Sequence, residues 1–126
     1  MSRTVKSVQP TALSLENLSY IKDEQQFQQF ASANDLIYIV CFTASWCGPC
    51  KQIKPFIVDL QSKYNASAKF LFVDVDENTA MAETYGIQSM PTFVAFRKNN
   101  QLVQFKGANK EQLAHYVRLL VQTAYC

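Results

Sequence analysis

Leu36-Ile37-Tyr38-Ile39-Val40-Cys41-Phe42, followed closely by Trp46-Cys47-Gly48-Pro49-Cys50-Lys51, is the stretch from which the rest of the chain can be read. The first run is β-branched and aromatic, as a buried strand should be. Downstream, Ile53, Phe56, Ile57, Leu60 and Tyr64 recur at spacings of three and four, which places them on one face of a helix. The two thiols therefore fall at a strand-to-helix junction, with Cys47 and Cys50 at the helix N-terminus. A Cys-x-x-Cys pair in that position reads as a thiol–disulfide site, able to close a disulfide and open it again.

The position explains the chemistry. Disulfide exchange needs a thiolate, and the unpaired N–H groups and positive dipole end of a helix lower a thiol's pKa below its free value of about 8.5. Cys47 is the expected nucleophile, as the thiol that combines exposure with a helix N-terminus, and Cys50, about one turn inside, is the resolving thiol. Pro49 suits the first helical turn, where its missing N–H costs no bond. Gly48 leaves room for another protein's backbone to approach the sulfur. The competing reading is half of a zinc site. Zinc wants four ligands, and the chain offers only two other cysteines and one histidine, none at ligand spacing.

At 126 residues and 48% hydrophobic, the chain reads as one domain that can bury a core without disulfide staples. Three glycines and four prolines are too few for a linker-rich chain, and no repeat or low-complexity tract appears. The net charge of +2 comes from 12 basic and 10 acidic residues scattered along the sequence, which gives no case for nucleic acid or an anionic membrane. Arg97-Lys98 and Lys106 read as solvated hairpin positions. No apolar run approaches the roughly 18 residues a membrane span needs, and a secretory h-region is absent. A cytoplasmic location is expected. Residues 1–14 carry Arg3, Lys6 and no acid; they read as an N-terminal extension, with a mitochondrial presequence as the alternative, and 15–126 form the domain.

The order of elements follows from local signals. A short strand near Leu18 to Ile21 leads to Asp23 as N-cap, with Gln26 at the capping-box position and Phe27, Phe30 and Ala31 as the buried stripe of a first helix. After the central strand and the Pro49 to Tyr64 helix, with Pro55 inside it, come a strand at Lys69 to Asp74 and a short helix from Asn78 to Tyr85 closed by Gly86. This β-α-β-α-β-α order implies parallel strands. Thr92 to Phe96 and Leu102 to Lys106 then read as a hairpin joined by residues 97–101. Asn109 caps a last helix whose Leu113, Tyr116, Val117, Leu120 and Ala124 share a face, with His115 on the polar side. The expectation is an α/β fold, a mixed five-stranded sheet flanked by four helices.

With Trp46-Cys47-Gly48-Pro49-Cys50-Lys51, Met90-Pro91-Thr92 and Phe105-Lys106-Gly107-Ala108-Asn109-Lys110 in this order, the chain resembles the thioredoxin family from about Leu18 to Val121. The resemblance implies the thioredoxin fold, a cis bond before Pro91, and a redox disulfide between Cys47 and Cys50. It implies that Cys47 attacks a client disulfide and Cys50 resolves the mixed disulfide, with Gly48 and Pro49 supporting them. Trp46, Met90, Pro91, Gly107 and Ala108 would form the rim where client proteins dock. The Gly-Pro pair resembles the reducing members of the family. The function implied is a protein-disulfide reductase, acting as a monomer with no bound cofactor or metal and re-reduced by a thioredoxin reductase drawing on NADPH. The alternative is a thioredoxin-like binding module with slow or incidental redox activity.

Two positions depart from the family pattern. Where thioredoxins usually place a buried Asp, thought to assist proton removal from the resolving cysteine, this chain has Cys41. The lysine that commonly pairs with that Asp is replaced by Phe72. Loss of both leaves the site more apolar and avoids an unpaired buried charge. Cys41 reads either as a small buried hydrophobe or as a third redox thiol. Cys126 reads either as a fortuitous free thiol or as an exposed site for mixed disulfides.

Overall fold

The computed structural model describes residues 19–123, so the extension at 1–14, the boundary drawn at residue 15, Leu18, Ala124 and Cys126 lie outside the described residues. In chain order the elements are β1 (Ser19–Tyr20), α1 (Glu24–Ser32), β2 (Ile37–Thr43), α2 (Gly48–Lys63), β3 (Ala68–Asp74), α3 (Thr79–Thr84), β4 (Thr92–Arg97), β5 (Asn100–Lys106) and α4 (Lys110–Thr123). The sheet has five strands in the order β1-β3-β2-β4-β5. β1, β3 and β2 are mutually parallel, while β4 runs antiparallel to β2 and β5 antiparallel to β4. The mixed sheet and four helices expected from the sequence are present among the described residues.

Every residue of β2 is buried, which is why its sequence is apolar from Ile37 to Phe42 instead of alternating, with Thr43 its one polar residue. The pleat still divides it. Ile37, Ile39 and Cys41 pack with Ile53, Ile57 and Leu60 of α2 and Leu113, Val117 and Leu120 of α4. Tyr38, Val40 and Phe42 pack on the other face with Phe27 and Ala31 of α1 and Met81 of α3. The register of two helices on each face follows from this period of two. Cys41 consequently faces α2, the helix that starts at the dithiol, with Phe72 and Phe93 as its neighbours in β3 and β4.

The caps act as the sequence suggests. Asp23 Oδ1 accepts from the Gln26 N–H at 2.8 Å, but the return arm of Gln26 Oε1 takes the Lys22 N–H at 2.7 Å instead of the cap's own. Asn109 Oδ1 accepts from the Gln112 N–H at 2.8 Å. Asn78 caps α3, and Gly86 ends it at φ 65°. The hairpin departs from expectation. The strands continue inward until Arg97 pairs with Asn100, leaving a two-residue turn of Lys98 and Asn99 with φ 49° and 68°, the left-handed pair of a type I′ turn. Arg97 is not simply solvated either, since its Nη2 donates to Asp35 Oδ2 at 2.6 Å; that hydrogen bond holds the Asp35 carboxyl below the usual carboxylate range.

Candidate active site

Register brings the sequence-predicted site residues to one end of the sheet. Phe42 near the C-terminal end of β2 pairs with Thr92 at the start of β4, and Thr92 pairs with Lys106 at the end of β5. The residues just beyond this row are therefore neighbours: the 44–47 connection, Met90-Pro91, and Gly107-Ala108. The Gly107 N–H donates to the Pro91 carbonyl at 2.9 Å, which ties the second and third segments together. Gly107 sits at φ 104°, a conformation side-chain-bearing residues rarely adopt. The Met90-Pro91 bond is cis. Ala108 is exposed and shares a small cleft with Gln52 and Ile53 of α2 and with Lys110.

Cys47 and Cys50 are joined as a disulfide with Cα atoms 5.3 Å apart. α2 starts at Gly48, one residue before the Pro49 expected, and Cys47 is its N-cap, with Sγ accepting from the Cys50 N–H at 3.2 Å. A side-chain acceptor at this position normally comes from Ser, Thr, Asp or Asn; here a sulfur does the capping. In the dithiol state the same N–H and the helix dipole favour a Cys47 thiolate. On the other side Cys47 Sγ lies 3.7 Å from the Met90 carbonyl oxygen, within reach of an S–H donor. The expectation that Cys47 is the exposed thiol needs correction for the disulfide state. Cys47 is 4% and Cys50 1% exposed, packed with Ala44 and against Val75 and Met90. What distinguishes them is position at the helix end, not open surface. Gly48 and Pro49 are exposed, and a Cβ added at Gly48 would meet nothing within 4 Å, so the approach over the disulfide is open.

Trp46 is 64% exposed, yet its indole is held. Its Nε1–H donates to Asp76 Oδ2 at 2.7 Å, and Asp76 is presented by a turn in which the Asp74 carboxylate accepts the N–H groups of Asp76 and Glu77 at 2.8 and 3.3 Å. Sequence reasoning missed this clamp, because nothing in the local pattern couples residues thirty positions apart. A groove of about 660 Å3 between α1 and the edge of β3, lined by Phe30, Tyr38 and Phe70 among others, includes none of these residues. Among the described residues no group of three or more His, Cys, Asp or Glu side chains could hold a metal, and no helix is long and apolar enough to cross a membrane.

Cys41 is free, 1% exposed, and burial pushes its thiol up to about 12. At neutral pH it is a thiol, the weak nucleophile of the exchange reaction, which supports the buried-hydrophobe reading over a third redox cysteine. The flank at Cys41 and Phe72, expected to be more apolar without the Asp and Lys, still has a cation beside it. The Lys54 ammonium, from α2, lies 5.7 Å from the Phe72 ring centroid and 5.2 Å from that of Tyr20. His115 is exposed on α4, its ring 3.3 Å from Arg118 Nη2 and outside the site.

Comparison with known proteins agrees with this arrangement. A family model described as Thioredoxin matches residues 19–119. The chain is 42% identical to thioredoxin of Homo sapiens over 102 residues, covering 80% of this chain and 96% of that protein. It is 44% identical to thioredoxin of Mus musculus over 94 residues, 74% and 89% of the two chains. Among solved structures, oxidised mitochondrial thioredoxin 3 of Saccharomyces cerevisiae superposes with a TM-score of 0.78 at 28% identity, covering 83% of this chain and 97% of that one.

Proposed function

Since the chain belongs to the thioredoxin family and is accordingly a thiol–disulfide oxidoreductase, we propose that it works in the reducing direction, on disulfides of client proteins. The observation that carries this is the Cys47 sulfur at the start of α2, accepting the Cys50 N–H and lying beside the Met90 carbonyl. The Cys47 thiolate attacks one sulfur of the client disulfide, forming a mixed disulfide; the other client sulfur leaves with the electron pair and takes up a proton. Cys50 then loses its proton and attacks Cys47 Sγ. The Cys47–Cys50 disulfide forms, the bond to the client breaks, and the second client sulfur leaves as a thiol. Two electrons pass to the client. The open space over Gly48 and the exposed indole of Trp46 suit an extended segment of protein, with Met90, Pro91, Gly107 and Ala108 as the remaining rim.

The cycle needs two electrons returned, and a thioredoxin reductase drawing on NADPH is the donor we propose. A cytoplasmic site of action belongs to the same reading, because a dithiol reductant serves where thiols are kept reduced. Turbidity from reduction of insulin, with NADPH and a thioredoxin reductase, tests it. Sustained turnover that vanishes in Cys47→Ser is expected. Tight association with one partner, independent of redox state and without turnover, would instead favour a binding module.

A further inference from the structure

The buried flank of the dithiol carries a charge that the reduction cycle above does not use. Lys54 stands four residues, about one helical turn, after Cys50 on α2, and helix side chains tilt toward the N-terminus. Its stem is half-buried, and its ammonium donates to Tyr20 Oη while facing the rings of Tyr20 and Phe72. Those two rings stack with centroids 5.4 Å apart. Phe72 is the β3 neighbour of Cys41. Lys54 thus brings its charge from the helix to the place that a lysine at position 72 would have served from the strand. Its field also reaches the Cys41 thiol, where it acts against the effect of burial.

The groove at this flank, about 470 Å3, is lined by Tyr20 of β1, Thr43, Ala44 and Ser45 after β2, Lys51 and Lys54 of α2, and Asp74 and Glu77 at and after the end of β3. The charged and titratable groups around Lys54 are therefore Lys51, Asp74, Glu77, Tyr20 and Cys41. Lys51 is exposed to solvent, and the Asp74 carboxylate is engaged by two backbone N–H groups. Lys54 differs from both in being held against aromatic faces, where a cation is less screened than in open water.

We propose that Lys54 is a positioning residue for the second half of the exchange, its ammonium favouring the Cys50 thiolate as that sulfur attacks the mixed disulfide. The inference rests on the reduction cycle proposed above. With no carboxylate at position 41 to take the proton, Cys50 releases it to solvent, and a nearby positive charge makes that release easier.

An aromatic disulfide that frees a coloured thiolate at each step separates the two halves. The first release reports attack by Cys47, the second resolution by Cys50. In Lys54→Met the first should stay within about twofold, while the second slows about three- to tenfold at neutral pH, the size expected of one partly screened charge. The pH midpoint of the second step should rise by about half to one unit, and Lys54→Arg should keep wild-type behaviour. Thermal melting checks the fold; should Lys54→Met not fold, Lys54→Gln, which keeps a polar end near Tyr20, takes its place. An unchanged second step in a folded variant overturns the proposal, and so does equal slowing of both steps, which assigns Lys54 to packing. A wild-type protein that gives no second release would instead sink the oxidoreductase cycle itself.

Discussion

At the scale of single residues, three cysteines with one side-chain chemistry receive three roles from their surroundings. Cys47 caps a helix and accepts an N–H; Cys50 lies inside the first turn; Cys41 is in the sheet, its thiol pushed up to about 12. Reactivity follows thiolate character, so limiting iodoacetamide on the reduced protein at neutral pH should modify Cys47 first and leave Cys41 untouched until the chain unfolds. Peptide mapping that found Cys50 ahead of Cys47 would reverse the assignment of nucleophile. Cys50→Ser removes only the second attack, and the variant should accumulate one mixed disulfide per molecule; multiple turnover by it would contradict the resolving role. Cys41→Ala should leave turnover within about twofold and cost on the order of 1 kcal/mol, the loss of one small buried group. A large fall in turnover without a fall in stability would give Cys41 a part in the chemistry.

At the scale of elements, what matters is how strand ends and turns carry the proposed rim. Gly107 holds φ 104° while its N–H binds the Pro91 carbonyl. Gly107→Ala meets no atom within 4 Å, so its effect is backbone strain, about 1–2 kcal/mol. The expected readout is a raised KM for protein clients, with the attack of Cys47 on a small disulfide unchanged; equal effects on both substrates would detach Gly107 from docking. The hairpin gives the opposite sign. Lys98 and Asn99 both have positive φ, so Asn99→Gly should stabilise the chain by about 0.5–1 kcal/mol in a urea titration. Neither turn residue announced itself, because Lys-Asn is not the glycine-containing pair that marks a type I′ turn. Elements with strong periodicity were legible to within a residue or two: β2 from its unbroken apolar run, α2 from Ile53, Ile57 and Leu60, the helix starts from Asp23, Asn78 and Asn109. Of the site, the dithiol and its helix could be read directly, and the Met90-Pro91 and Gly107-Ala108 segments only through family resemblance. The Trp46–Asp76, Lys54–Phe72 and Arg97–Asp35 contacts could not be read, since each depends on tertiary placement of residues far apart in the chain.

At the scale of the whole molecule, a sheet covered on both faces gives the dithiol a rigid base, and it also buries groups that must stay neutral. Cys41, on the α2 and α4 side, is pushed up to about 12 by burial. Tyr85, on the α1 and α3 side, is pushed from 10.0 up to about 12, first by burial and then by the charge and hydrogen bond of Glu24. Both are acids whose folded pKa is raised, so the folded state holds their protons more tightly than the unfolded chain does. Their stabilising effect is complete below about pH 9 and is lost as the pH climbs toward 12. Urea unfolding of the oxidised protein, in which Cys47 and Cys50 do not titrate, should show stability falling through this window. In Cys41→Ala the fall should begin later, near the ordinary tyrosine value of 10.0, and in Tyr85→Phe its upper part should shrink. If the Cys41→Ala curve runs parallel to wild type from pH 9 upward, the thiol is not shielded from water, and the inertness assigned to it in the redox cycle fails with it.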